Sequence, residues 1–296
     1  MFVMFTPYSF IFFSVYLLFT ITLFTISNFY FYWMVMELMM LLFMGLSYTL
    51  FVSSYSQLMS YFLIQTLSSF CILISYIYDS SLFITASMLL KLSMFPFHTW
   101  YINVTYSFPN FILWVSSTLH KLPMMLMLLN FGITLNAPLL WLSILSTMLI
   151  SGLLMLMVLD LRMLLVVSSI GNNSWFIISQ MSSLMVFILF FIIYSMSFFM
   201  ILLSFKGMSK PSTVLSPSPY PYALSLWVLS ICGMPPFPMF YIKMLVIYTL
   251  LSSYGMNYLF ILFMLFNTFM LAGYIQSLMK YHMYVYSSLS NYLLKY

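Results

Sequence analysis

The sequence predicts an all-α integral membrane protein of about ten transmembrane helices, in two inverted five-helix repeats, with broken helices at Pro96 and Pro235–Pro236. Three observations predict it. Hydrophobic residues fill 65% of the 296 positions and charged residues only 4%, against roughly 25% charged in a soluble domain. The apolar residues come in long continuous runs, not in the short alternating segments of a membrane β-barrel. Proline interrupts the fourth run in each set of five.

The runs place spans at 8–26, 29–49, 57–78, 81–105, 109–130, 138–158, 163–181, 183–205, 222–250 and 256–279. Each is near or above the roughly 20 residues that cross a bilayer. The first, in MFVMFTPYSFIFFSVYLLF, has no basic flank, so it reads as a span and not as a cleaved secretory signal. It also lacks the Arg- and Ser-rich character of an imported presequence. The second span carries Glu37, the third Gln65 and Cys71, and the fourth Lys91. The fifth carries His120 and Lys121, the seventh Asn172 and Asn173, the ninth Lys243 and the tenth Asn267.

Proline removes a backbone donor and clashes with the preceding turn. In lipid the freed carbonyls need partners from protein or water, so the fourth and ninth spans are expected to be broken and to face protein. Both lie fourth in their set of five, and five is odd, so the sets run in opposite directions through the membrane. That is the inverted-repeat plan of many transporters, with binding at broken helices. The expected division is a first repeat over 1–130, then a second over 131–296 with a short C-terminal tail.

The only long polar connection is KGMSKPSTVLSPSPYP, about 206–221, a surface loop by its Ser, Pro and Lys content. The basic residues outside spans are Arg162, Lys206, Lys210, Lys280 and Lys295. With ten spans they all fall on one side, and the positive-inside rule puts that side, with both termini, in the matrix or cytoplasm. The net charge of +5 does not point to nucleic acid, because eight dispersed basic residues form no patch. Cys71 and Cys232 make neither a disulfide framework nor a metal set, and read as small buried apolar residues. The six Trp and many Tyr read as interfacial belts. The 30 Met and 32 Phe resemble the codon bias of proteins encoded inside animal mitochondria.

The chemistry sits in a few costly residues. Lys91, Lys121, Lys243 and Glu37 lie inside apolar segments, where each ionised group costs about 2.5–3.5 kcal/mol on insertion scales. Such residues mark ion or proton paths. Lys91 has apolar chain on both sides, too far from either end for simple snorkelling to the interface. Burial disfavours the charged form of an amine, which makes a lysine usable as a proton carrier. Lys243 has a similar setting, whereas Lys121, beside His120 and Pro123, also fits an interfacial position. Glu37 is the only acidic residue inside a span, and Lys91 is its expected partner. His98, past the Pro96 break, and His120 fit a proton relay or an ordinary hydrogen-bonded role equally. Gln65, Asn130, Asn172, Asn173 and Asn267 are expected mainly to bond helix to helix. The sequence has no Gly-rich nucleotide loop, no Cys cluster and no haem-like His pair, so no redox centre is expected in this chain.

WMVMELMMLLFMG, SYFLIQTLSS, LLKLSMFPFHTW, HKLPM, DLRMLLVVSSIGNNSW and LSICGMPPFPMFYIK occur in this order over about 30–245. Together they resemble the subunit-2 family of mitochondrial NADH:ubiquinone oxidoreductase, antiporter-like subunits of respiratory complex I. The most specific pieces are K-x-x-x-x-P-F-H-x-W at Lys91–Trp100 and P-P-F-x-x-F-x-x-K at Pro235–Lys243. The resemblance implies two inverted five-helix bundles in the mitochondrial inner membrane. It implies that Glu37 pairs with the broken-helix lysine Lys91, that Lys121 is the central-axis lysine and that Lys243 is the terminal one. It implies no cofactor on this chain, with NADH, FMN, iron–sulfur clusters and ubiquinone held by partner subunits. The implied partners are other membrane-arm subunits, including further antiporter-like ones, and phospholipid. Three departures stand out: Ile102–Asn103 where the family has Pro-Glu, Gly171–Asn172 where a histidine is frequent, and no further helix after the tenth span. The same residues also fit a free-standing cation/proton antiporter, or a structural membrane-arm subunit without its own proton path.

Overall fold

The computed structural model describes residues 7–50, 55–131, 135–158, 160–204, 221–254 and 257–293. Helices joined by short turns make up the described residues, with no strand among them. The chain divides into two compact units, Met1–Thr147 and Met148–Tyr296.

The first unit contains α1 (Pro7–Thr22), α2 (Phe29–Leu50), α3 (Tyr55–Ile77), α4 (Ser81–Lys91), α5 (Thr99–Thr105), α6 (Asn110–Ser117) and α7 (Leu122–Phe131), and ends within α8 (Ala137–Met157). Helix α2 packs on α1, α3 and α7, and α3 packs on α4 and α5. The α2 stripe Phe29, Tyr32, Val35, Met36, Met39, Met40, Phe43 and Leu46 is buried at steps of three and four, the helical repeat. Its opposite face is also apolar, with Tyr30, Phe31, Met34 and Leu41 exposed. An outer face of this kind suits hydrocarbon, not water.

The second unit contains α9 (Leu161–Ser182), α10 (Leu184–Ser204), α11 (Pro221–Cys232), α12 (Pro238–Tyr254) and α13 (Asn257–Leu293). Helix α9 is its centre. It packs against α10, α12 and α13, and almost every residue from Leu164 to Ser179 is buried. This most enclosed helix carries Ser168, Ser169, Asn172, Asn173 and Ser174. Polar side chains in a membrane protein collect where other helices shield them from lipid.

Among the described residues, seven helices are long and apolar enough to cross a membrane: Phe29–Leu50, Tyr55–Ile77, Asn110–Phe131, Ala137–Met157, Leu161–Ser182, Leu184–Ser204 and Ile261–Met279. Pro7–Thr22, Ser81–Lys91 and Pro238–Ser252 are apolar but shorter. The last two are short because the chain breaks where proline predicts it.

The Pro96 break begins before the proline itself. Helix α4 stops at Lys91, and Ser93 takes a left-handed φ of +55°. The Met94 amide then donates to the Leu89 carbonyl and the Ser93 amide to the Leu90 carbonyl, the Schellman pattern of a helix C-terminus. The second break uses glycine for the same purpose. Gly233, with φ +82°, follows α11, and Pro238 opens α12, the usual C-terminal Gly and N-terminal Pro.

Several details differ from the sequence expectation. The fifth span is interrupted by a 3-10 turn at Leu119–Lys121, with Thr118 in an irregular conformation. Pro123 accounts for it, since it has no N–H to offer the Leu119 carbonyl. Helix α13 continues to Leu293, past the end expected at 279. Cys71 is exposed, not buried; Cys232 is buried. Lys206, Lys210 and Lys295 of the orientation argument, and the loop that holds the first two, lie outside the described residues.

Candidate functional site

The lysines of the apolar segments stand at or near helix interruptions. Lys91 is the last residue of α4, Lys121 closes the 3-10 turn, and Lys243 lies in the second turn of α12, after the Gly233–Phe237 break. Helix ends leave carbonyls without intrahelical partners and concentrate partial negative charge at the C-terminus.

In the first unit the site gathers around Lys91. Glu37, on α2, is close enough for its charge to bear on Lys91, though no ion pair within 4 Å joins the two among the described residues. The Schellman bonds leave the Lys91 carbonyl free, and the Gln65 amide donates to it at 3.3 Å. Gln65, buried on α3, thus fixes the helix end that carries the lysine. His120, beside Lys121 in the 3-10 turn, belongs to the same unit. Its Nδ1 lies 3.2 Å from the Tyr16 hydroxyl of α1. Its ring sits 4.8 Å from the Phe43 ring and 5.8 Å from the Tyr61 ring, centroid to centroid.

Lys121 is 5% exposed, enclosed by protein. Its ammonium lies 5.1 Å from the centroid of the Tyr101 ring, within cation–π range. The turn that holds it is fixed from α2, where the buried Tyr32 hydroxyl donates to the Pro123 carbonyl at 2.6 Å. His98 stands apart from these contacts. It precedes α5 in the Pro96 break and stacks on Phe95 at 6.0 Å.

The second unit holds one lysine site. Lys243 is 5% exposed, and its ammonium donates to Asn267 Oδ1 of α13 at 2.9 Å. It also lies 5.4 Å from the centroid of the Trp175 ring of α9. Gly233 lines the same space, since a Cβ placed there would sit 3.6 Å from the Lys243 ammonium. Asn172 Oδ1 and Trp175 Nε1, one turn apart on α9, are buried without a hydrogen-bond partner. Buried polar atoms of this kind call for ordered water.

A prediction arises here. Gly233→Ala puts a Cβ on a left-handed residue, which costs roughly 1–2 kcal/mol, although the Lys243 side chain leaves room for it at ordinary contact distance. The expected result is a fall of several degrees in the thermal unfolding midpoint of the protein. Unchanged stability and activity in this variant would remove Gly233 from the site.

The tyrosines are what the sequence did not reveal. Belts at the interface were expected, yet Tyr16, Tyr32, Tyr61 and Tyr101 are each 3% exposed or less. The amides were read more closely: Gln65 bonds α3 to the end of α4, and Asn130 donates to the Leu23 carbonyl at 3.3 Å.

Comparison with known proteins follows the same lines. A family model described as the transmembrane part of NADH:quinone oxidoreductases and Mrp antiporters matches residues 76–271. NADH-ubiquinone oxidoreductase chain 2 of Coturnix japonica is 32% identical over 174 residues, covering 57% of this chain and 50% of the relative. The chain 2 protein of Artemia franciscana is 30% identical over 190 residues, 62% of each. The chain thus spans about half to three-fifths of the length of these curated relatives. Among solved structures, a chain of respiratory complex I from Thermus thermophilus with bound Aureothin superposes with a TM-score of 0.62. The identity is 17%, over 83% of this chain and 64% of that one, so the likeness is one of fold.

Proposed function

The chain belongs to the NADH:quinone oxidoreductase/Mrp antiporter transmembrane family, and from that premise we propose that it is a proton-translocating, antiporter-like core subunit of respiratory complex I. Proton transfer runs through Glu37, Lys91 and Lys121 of the first unit and Lys243 of the second, with His98 and His120 as candidate relays. The chain is organised as two inverted five-helix repeats and resides in the mitochondrial inner membrane with both termini on the matrix side. Electrons pass elsewhere, through NADH, FMN, iron–sulfur clusters and ubiquinone in partner subunits. Its neighbours are other membrane-arm subunits and phospholipid.

One observation carries the reading: three lysines stand at or near helix interruptions inside apolar segments, Lys121 and Lys243 among them buried, and the Lys243 ammonium donates to an amide oxygen at 2.9 Å. The energies are commensurate. One charge moved across the membrane is worth about 2.3 kcal/mol per 100 mV, and a charge at bilayer depth costs about 2.5–3.5 kcal/mol. Switching a buried lysine between its two forms is therefore an energy step of the size that pumping requires.

Lys91→Met tests it, since methionine keeps the length and apolar stem and removes the proton site. The assembled complex is expected to keep its NADH-oxidising capacity when uncoupled while proton translocation per NADH falls severalfold. Normal translocation in a normally assembled complex would refute the role of Lys91. The family description also includes Mrp antiporters. Purification of this chain alone, with cation/proton exchange and no redox partners, would favour that second reading.

A further inference from the structure

Helix α1 contributes a residue that neither the family's lysine path nor the sequence pattern singles out. We propose that Tyr16 is a positioning residue for His120: its hydroxyl donates to Nδ1, fixes the tautomer with the proton on Nε2, and so decides which edge of the imidazole exchanges protons near Lys91. This rests on the proton-transfer reading above.

Tyr16 is 1% exposed, and a buried hydroxyl proton without an acceptor is costly. The partner in the structure is His120 Nδ1 at 3.2 Å. A neutral imidazole has one N–H and one lone pair. Were the N–H on Nδ1, it would point at the tyrosine oxygen and leave the hydroxyl proton without that acceptor. With the N–H on Nε2, the Tyr16 proton meets the Nδ1 lone pair and both groups are satisfied. Two aromatic rings border the imidazole as well. Phe43 offers only carbon, and Tyr61 meets the ring at 5.8 Å, centroid to centroid. The hydroxyl also serves the charged state, because it can turn and accept from Nδ1–H when His120 gains a second proton. Tyr16 thus keeps the imidazole in one place and orientation through both states, leaving Nε2 to give and receive.

The titratable groups that face the imidazole are Tyr16 from α1, Tyr61 from α3, Lys91 from α4 and Lys121 beside it in the same turn; Glu37 from α2 and Tyr101 from α5 act on those groups in turn. Any change of pH profile must therefore be assigned by a cycle and not by one variant. Tyr16→Phe, His120→Gln and the double variant are made in the intact complex, with Lys91→Met as the control. NADH-driven proton translocation in sealed membranes is measured from pH 6 to 9.

Tyr16→Phe is expected to slow translocation roughly three- to tenfold, the cost of one hydrogen bond to a working group, and to move its pH profile. In the His120→Gln background the same change is expected to do nothing further. An equal effect of Tyr16→Phe in both backgrounds, or an unmoved pH profile, would overturn the proposal. So would failure of Tyr16→Phe to assemble, because phenylalanine keeps the ring and its packing. The two readings fail separately. Normal pumping by Lys91→Met would sink the lysine path, whereas loss of pumping there with an additive cycle would sink only the Tyr16–His120 role.

Discussion

Gly273→Val is expected to prevent this protein from accumulating in its membrane assembly. Gly273 lies on α13 against the C-terminal half of α8. A Cβ there would come within 2.8 Å of Met155 Cβ and 3.0 Å of the Met155 carbonyl carbon and oxygen. Two of those three atoms are backbone, which cannot rotate away. The helices must separate, and a membrane helix pair has no hydrophobic effect to restore the contact, only close packing. Overpacking costs about 1–3 kcal/mol in ordinary cores, occasionally more. A branched side chain against backbone belongs at the upper end. The check is the amount of subunit in the intact complex on native gels, with Gly273→Ala as the milder step. Normal levels of the valine variant would show that α8 and α13 do not pack as described.

Asn267→Leu is expected to be nearly as severe, for an electrostatic reason. The Lys243 ammonium donates to Asn267 Oδ1 at 2.9 Å. Leucine has a similar volume but no acceptor, so the change strands a buried cation. Hydrogen bonds to charged groups are worth about 1.5–3 kcal/mol. Loss of one partner from a buried charged pair reaches about 3–5 kcal/mol when nothing replaces it. The double variant Asn267→Leu with Lys243→Met separates stability from function. Removing both partners can be nearly neutral for stability, so assembly should return, while proton translocation should not. The measurements are the thermal inactivation midpoint and NADH-driven proton uptake. Equal destabilisation by the single and double variants would mean that the contact between the two side chains contributes nothing.

Both predictions depend on contacts that sequence reading reached unevenly. Lys91, Lys121, Lys243 and Glu37 were legible because a charge in an apolar run is conspicuous and expensive. The breaks at Pro96 and Pro235–Pro236 were legible because proline acts on its own backbone, within four residues. The break at Leu119–Lys121 has the same cause, Pro123, but there the apolar run continues on both sides and hides it. Tyr16 could not be found this way. Nothing in YSFIFFSVYLLF separates a tyrosine whose hydroxyl reaches His120, 104 residues away, from one that faces lipid headgroups. Gln65 was visible as a polar residue in a span, yet its target is a carbonyl freed by a break in another helix.

By itself, then, the chain's composition determined that this is a helical membrane protein, where its charges lie and where its helices must break. Those properties follow from hydrophobicity and from backbone chemistry over a few residues, and both are written locally. Which hydroxyl, amide or aromatic face meets each lysine was decided only by the packing of helices far apart in sequence. Tertiary structure chose those partners because a buried polar atom takes whatever donor or acceptor the neighbouring helix brings within 3 Å or so, and that depends on helix rotation and register across the whole bundle.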